Sequence, residues 1–546
     1  MPALGTVPRN YSVERHTRVE GTPPDGLITA VEVPRVDGNY RWIEASRDDV
    51  AFRALSETDG MLNQFGPAYP ATGGLLPVMP RIPIAPSYYQ YAGPAKNNDG
   101  TGRFADFDPA VVDLYLFCGQ SLARGQTALT DLPAPADYYT PLTVTPEHPG
   151  FGLMPSCGVL PDGRAFSSFV DLYEQFYQPA GGGTPSGETM ISRTIGRILD
   201  DQLAAFGKRQ RTLGIVCATG ESTLTNIGRG TAAWSEIIRC VTQASRIAAA
   251  MGCRIRLRGI VFEHGESDSG FQYGTDTDPN TGTEMRDYRD RVAVYRAQVE
   301  EEARRILAQP ERVFMFVSQT NRGSIEKNFV PRVTIAQLTA ADIDPLIVCT
   351  GQKYHYPQND VDGIHPNKFG YNQIGDTRGR QIFETIHGKK YQSMRIVEAF
   401  QTGPRTIRVR INKPVSLETD DTLIKISNLA GAQGFTINDG TTAPPIVTGC
   451  ALDPAGGGSI LNSRTGPCWL TLTLDSDLTG YRRILQYAQR YTTNRGGSMT
   501  SARGGVRGAL PWFNAKHSQP ASYGPYNYPN PTPLYERLSP DHFVLN

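Results

Sequence analysis

The sequence predicts an α/β protein: a three-layer α/β/α domain on a parallel sheet, set between an irregular β-containing N-terminal module and a β-sandwich-like C-terminal domain. Three observations predict it. Short, near-continuous apolar runs alternate with helical patterns through the middle of the chain, proline and turn residues crowd its first part, and helical periodicity stops near residue 393. Apolar runs that do not alternate with polar residues belong to strands buried on both faces, as in parallel sheets covered by their crossover helices. The corresponding boundaries are 1–105, 106–392 and 393–546.

In the first segment, LITAVEVPRV and YRWIEAS are strand-like. PVMPRIPIAPSYYQYAGP is not helical, because proline removes amide donors and biases the residue before it to extended geometry. In the second segment, VVDLYLFCG, RTLGIVCATG, IRLRGIVFEHG, RVFMFVSQT and DPLIVCTG read as strands. TMISRTIGRILDDQLAAFG, AWSEIIRCVTQASRIAAAMG and YRDRVAVYRAQVEEEARRILAQ carry helical spacing between them. In the third, SMRIVEAF, TIRVRINKPV, LIKISNL and CWLTLTLDSD alternate like half-buried antiparallel strands, and a turn-rich aromatic tail follows.

Lys+Arg and Asp+Glu are both 54 in the 546 residues, so the charge balance gives no footprint for nucleic acid. No apolar run approaches the roughly 18 residues needed to span a bilayer. The first residues lack a basic-then-apolar signal layout, so a soluble chain without a membrane partner is expected. The eight cysteines include no close C-x-x-C pair. Reduced thiols are expected, with a Cys450–Cys468 bridge as the alternative. DTDPNTG, from Asp276, resembles the opening of a calcium loop, but its glycine falls one place late and a proline intervenes. No metal and no cofactor is expected.

In open parallel sheets, function gathers beyond the carboxyl ends of the strands. There fall Gly119-Gln120-Ser121, Gly220, His264-Gly265-Glu266 and the loop after Val348. Ser121 needs a base, and His365, three residues after Asp362, is the candidate. At that spacing a carboxylate can fix the imidazole tautomer and leave the other nitrogen to take a serine proton. The alternative makes Asp362 a turn cap and His365 a polar loop residue. Gly220 either ends a strand or offers an exposed N–H to an oxyanion. Ionised Glu266 only accepts hydrogen bonds, so it orients the loop, whereas His264 and Ser267 can donate. The G-x-S-x-G elbow of α/β-hydrolases is missing, because GESTL and GESDS both lack the final glycine.

Taken in order, GQS after the first strand, the glycine ending the second, HGESD after the third and DGIH before the last helix resemble the SGNH/GDSL hydrolase superfamily. They are most similar to its carbohydrate-esterase branch of sialate O-acetylesterases and acetylxylan esterases, which shows G-Q-S-N, Q-G-E-x-D and D-x-x-H. The blocks span roughly residues 110–390. The resemblance implies Ser121 as nucleophile, His365 as general base and Asp362 as its partner. It implies an oxyanion hole from the N–H groups of Ser121 and Gly220 with the His264 side chain, and Glu266 in an orienting role. Two positions depart from the pattern: Leu122 stands where the family has Asn, and His264 where it has Gln. Arg124, Trp234, Tyr354 and Tyr273 are candidate substrate contacts; a solvent-facing or structural arginine and a helix-core tryptophan are the alternatives for Arg124 and Trp234.

The activity implied is a serine esterase that removes O-acetyl groups from a poly- or oligosaccharide through an acyl-enzyme. An O-acetylated glycan is then the partner. The flanking segments suit a phage tail enzyme acting on a host surface glycan, assembled as a homo-oligomer (a trimer in a tail), or a bacterial esterase, intracellular or secreted by a non-Sec route. The competing reading is a non-catalytic glycan-binding adhesin or virion fibre with a degenerate esterase domain.

Overall fold

The computed structural model describes 31–34, 40–43, 52–55, 62–65, 107–126, 148–173, 176–177, 186–187, 189–269, 281–320, 332–356, 365–366, 368–388, 390–418, 429, 431–453, 468–480, 483–488, 506–508, 512–514, 532–534 and 541–545. The chain divides into two units, Met1–Tyr91 and Ala92–Asn546. In the first, β1 (Val31–Pro34) pairs antiparallel with β2 (Tyr40–Ile43), and β3 (Phe52–Leu55) with β4 (Leu62–Phe65). The proline-rich run 77–94 lies outside the described residues.

The second unit opens with β5 (Val111–Gly119), β6 (Gly152–Pro155), β7 (Phe169–Asp171) and a short pair, β8 (Phe176–Tyr177) with β9 (Ser186–Gly187). Then come α1 (Thr189–Phe206), β10 (Thr212–Ala218), α2 (Leu224–Ile227), α3 (Ala232–Ala250), β11 (Arg254–Glu263) and α4 (Thr281–Leu307). β12 (Phe314–Ser318), α5 (Arg332–Ile343), β13 (Ile347–Gly351) and α6 (Lys368–His387) complete the α/β part. One seven-stranded sheet runs β13-β12-β11-β5-β10-β6-β7, parallel throughout except that β7 joins β6 antiparallel. The protein is therefore mixed α/β with a parallel-rich sheet.

Burial on both faces explains the apolar strands. All nine residues of β5 are buried. Its Val112, Leu114, Leu116 and Cys118 pack with Ile237 and Val241 of α3 and Val292 and Val299 of α4. Its Tyr115 and Phe117 pack instead with Ile191 and Ile195 of α1 and Ile374 and Ile382 of α6. Asp113 survives in this strand because Arg256 and Arg258 of β11 meet its carboxylate at 2.7 and 3.2 Å. Burial pushes that carboxyl up, and the two guanidiniums outweigh it, holding the pKa below the usual range. Helix α5 was not expected from the sequence. It is buried on nearly every side, so RVTIAQLTAADI shows no amphipathic stripe.

From residue 396 the elements are antiparallel. β14 (Ile396–Gly403), β15 (Thr406–Ile411), β16 (Val415–Leu417), β17 (Phe435–Asn438), β18 (Val447–Leu452) and β19 (Cys468–Leu474) come first. β20 (Ile484–Tyr487), β21 (Val506–Gly508), β22 (Trp512–Asn514), β23 (Thr532–Leu534) and β24 (Asp541–Val544) follow. The larger sheets are β14-β15-β19-β18 and β17-β20-β24, with β16–β21 and β22–β23 as separate pairs. Every second residue of β15 and β19, from Ile407 to Ile411 and Cys468 to Leu474, turns into a core shared with Phe435, Leu485 and Tyr487. All eight cysteines are free. Cys450 opposes Leu472 and Cys468 opposes Ile411, so strand register separates the two thiols that a bridge would join. The run 423–428 of LIKISNL lies outside the described residues. Among those residues, no helix is long and apolar enough to cross a membrane.

Candidate active site

The handover from β5 to Ser121 has a steric cause. Gly119 has φ +132°, and a Cβ there would sit 2.1 Å from the Glu263 carbonyl oxygen on β11. The next N–H, of Gln120, donates to that same oxygen at 3.0 Å, while Thr219 N–H donates to the Gly119 carbonyl at 3.1 Å. β5 is thus pinned to both neighbours at its last residue. A tight turn follows, in which the amides of Arg124 and Gln126 both donate to the Ser121 carbonyl at 3.1 Å.

His365, half-buried just ahead of α6, places Nε2 2.8 Å from Ser121 Oγ. Tyr371, in the first part of α6, donates its hydroxyl to the Gln126 carbonyl at 3.0 Å and ties the serine turn to that helix. Gly220 follows β10, and the nearest atom to a Cβ built there is Gln126 Oε1 at 3.8 Å. The Gly220 turn therefore borders the end of the serine turn. Asp362, Tyr273 and the segment 276–280 of the calcium-like run lie outside the described residues.

Behind the turn, Gln120 is held at both ends of its amide. Nε2 donates to Glu266 Oε2 at 3.1 Å, and Oε1 accepts from Ser267 N–H at 3.3 Å. Glu266 thus reaches the residue before the serine. Its other oxygen meets Lys353 Nζ at 3.0 Å. Lys353 was not singled out in the sequence, although it lies in the loop after Val348. Leu122 is buried, so the position after Ser121 supplies packing and no donor.

His264 is wholly buried. Its Nδ1 lies 2.9 Å from the Tyr288 hydroxyl, its ring stacks on Phe262, and its Nε2 lies 3.6 Å from Asp268 Oδ2. Among the described residues, no hydrogen bond joins it to Ser121 or His365. Burial first, then the nearby Lys353 and Arg291 charges, push its pKa down to about 3, against the opposing carbonyls of Ser222 and Thr223. The ring is therefore neutral at neutral pH. Asp268 receives the Leu224 N–H at 3.1 Å and so grips the loop that carries Gly220.

Burial raises the Asp268 pKa to about 7, only partly offset by that N–H. The folded state then binds a proton that the unfolded state has released, so stability falls as pH rises from about 4 to about 7. Asp268→Asn keeps the oxygen that accepts from Leu224 and removes the charge. By urea denaturation it should be more stable than wild type at pH 8, by up to about 4 kcal/mol, with the gap closing toward pH 4. A gap that does not change with pH would contradict this assignment.

Of the four expected substrate contacts, the three within the described residues lie in different settings. Arg124 is partly exposed, 3.5 Å from Asp162. Trp234 is 5% exposed, edge-on to Tyr295 in the helical core, and Tyr354 is 3% exposed, with its hydroxyl 3.4 Å from that of Tyr487. For the last two the expectation is corrected: each completes a core and leaves no ring face for a sugar.

No family model and no curated protein matches the sequence. Solved structures do overlay on it. A carbohydrate acetylesterase from Xanthomonas citri aligns at 12% identity and TM-score 0.42, covering 79% of this chain and 80% of its own. NanS aligns at 16% identity and TM-score 0.33, covering 51% and 98%. A protein from Arabidopsis thaliana aligns at 13% identity and TM-score 0.34, covering 50% and 98%. At such identities the chemistry has to be read from the site's own atoms.

Proposed function

We propose that the chain is a serine esterase of the SGNH type that removes O-acetyl groups from a carbohydrate. The observation that carries this reading is the 2.8 Å contact between His365 Nε2 and Ser121 Oγ, beyond the carboxyl end of β5. A serine hydroxyl is a poor nucleophile at neutral pH until a base at hydrogen-bond distance takes its proton. In this reading Ser121 attacks the ester carbonyl, and His365 accepts the proton and returns it to the leaving alcohol. Water then hydrolyses the acetyl-enzyme by the same route.

Asp362 is assigned to the second imidazole nitrogen of His365. The N–H groups of Ser121 and Gly220 are assigned to the oxyanion, with Glu266 orienting the turn through Gln120. The expected oxyanion donor His264 is reassigned to holding the Gly220 loop, because its Nε2 is enclosed beside Asp268. Helix packing on both sheet faces supports the three-layer arrangement of that superfamily. The order of the four motif blocks supports an O-acetylated glycan as substrate. The β-rich flanks suit a trimeric tail protein working on a host glycan, and that setting belongs to the proposal.

Acetate release from a panel of O-acetylated glycans tests the substrate class, and p-nitrophenyl acetate tests the esterase alone. His365→Ala should lower kcat/KM for p-nitrophenyl acetate by roughly 1,000-fold or more, since the attacking hydroxyl loses its proton acceptor. The same change should slow phosphonylation of Ser121 by a fluorophosphonate. Labelling that maps elsewhere, or ignores His365, would overturn the assignment.

A further inference from the structure

Four ionisable side chains with almost no solvent exposure form one connected chain behind the nucleophile turn. Lys353 Nζ stands 3.0 Å from Glu266 Oε1 and 3.0 Å from Glu263 Oε2. The other Glu263 oxygen accepts from Ser318 Oγ and, at 3.2 Å, from Arg378 Nε. Arg378 in turn donates to the Thr350 carbonyl at 2.9 Å and to Gln381 Oε1 at 3.2 Å. Two carboxylates therefore face two cations, and all four side chains are at most 3% exposed.

A balanced buried network of this kind is no reliable source of stability, since apolar packing of equal volume often does as well. Its placement gives it another use. Glu263 supplies the carbonyl that accepts the Gln120 N–H, and Glu266 accepts from the Gln120 side chain. An ionised Glu266 is purely an acceptor, which suits the Gln120 amide N–H that points at it. Without the ammonium, Glu266 would be a desolvated carboxylate beside a second carboxylate, and it would take up a proton. The resulting O–H would compete with the Gln120 donor at the residue next to Ser121.

We propose that Lys353 is a positioning residue: by bridging Glu263 and Glu266 it keeps the acceptor that fixes Gln120, and so sets the turn from which Ser121 Oγ meets His365. This inference rests on the reading of Ser121 as nucleophile. Lys353 touches neither the serine nor the histidine and acts through Glu266 and Gln120. Among the described residues, the further charged or titratable groups that act on the pair include Arg378, Asp268, His264 and Tyr356.

The test compares wild type, Lys353→Met and Lys353→Met/Glu266→Gln, with p-nitrophenyl acetate and a fluorophosphonate as probes. Lys353→Met should lower kcat by roughly 100-fold, the scale of a small misplacement of a reacting group, with KM changed less than about twofold. Its kcat should climb with pH through an ionisation that wild type lacks, as Glu266 gives up its extra proton. The double variant, whose amide oxygen still accepts from Gln120 and does not titrate, should recover about tenfold of that loss and show no extra ionisation.

A Lys353→Met protein that loses stability yet keeps wild-type kcat would overturn the proposal, as would a double variant less active than the single. If Lys353→Met does not fold, the charge-balanced double variant decides alone: kcat about tenfold below wild type supports the role, and unchanged kcat refutes it. The two readings fail differently. Ser121 that is labelled equally fast in wild type and Lys353→Met removes only the role of Lys353. Label absent from Ser121, with hydrolysis intact in Ser121→Ala, removes the nucleophile itself.

Discussion

Ser121→Ala should lower kcat for p-nitrophenyl acetate by roughly 10⁴- to 10⁶-fold, while thermal unfolding stays within about 1 kcal/mol of wild type. The change deletes one oxygen, whose contact is with His365 Nε2 at 2.8 Å. The backbone turn is held independently, by the Ser121 carbonyl and by the Gln120 side chain, so alanine leaves it in place. What vanishes is the atom that would carry the acetyl group. Any residual rate would come from binding and the oxyanion donors acting on water. The measurement also separates the two classes of function. A glycan-binding fibre would release no acetate even as wild type, whereas an esterase using a different nucleophile would be indifferent to this substitution.

How far the site was legible depends on which residues carry a local signal. VVDLYLFCG could be read as a strand because each of its nine residues is buried, and the Gly119 that ends it marks a real close approach. His365 could be offered as a base for Ser121 from its spacing to Asp362, and the resemblance supplied the pairing across the 244 positions that separate the two. Lys353, Glu263 and Arg378 gave no such signal. Each looks like an ordinary solvated charge until the sheet order brings β11, β13 and α6 together. Trp234 and Tyr354 erred the other way: aromatic residues near a motif suggest a sugar platform, but here they fill cores. Helix α5 and the β6–β7 edge were missed for related reasons. One is buried all round and lacks a stripe, and the other lies within 106–392, where the expected sheet was entirely parallel.

Gly119→Ala should be the most damaging single methyl in the described α/β part. The added Cβ would fall 2.1 Å from the Glu263 carbonyl oxygen and 2.7 Å from its carbon, both backbone atoms of a central strand. At φ +132° an L-residue is strained even where there is space. Strand displacement and backbone strain each cost roughly 1–3 kcal/mol, so a loss of about 3–5 kcal/mol is expected in urea denaturation. β11 cannot yield without lengthening the bond from Gln120 N–H to Glu263, which sits directly before Ser121. Activity should therefore fall in the molecules that remain folded. Gly252→Ala is the control: it has φ +70° but nothing within 4 Å of its added Cβ, so it should cost only about 1 kcal/mol and leave kcat unchanged. Equal losses in the two variants would show that backbone strain alone is at work. A larger loss at Gly119, together with a fall in kcat, would show that the strand contact sets the nucleophile turn.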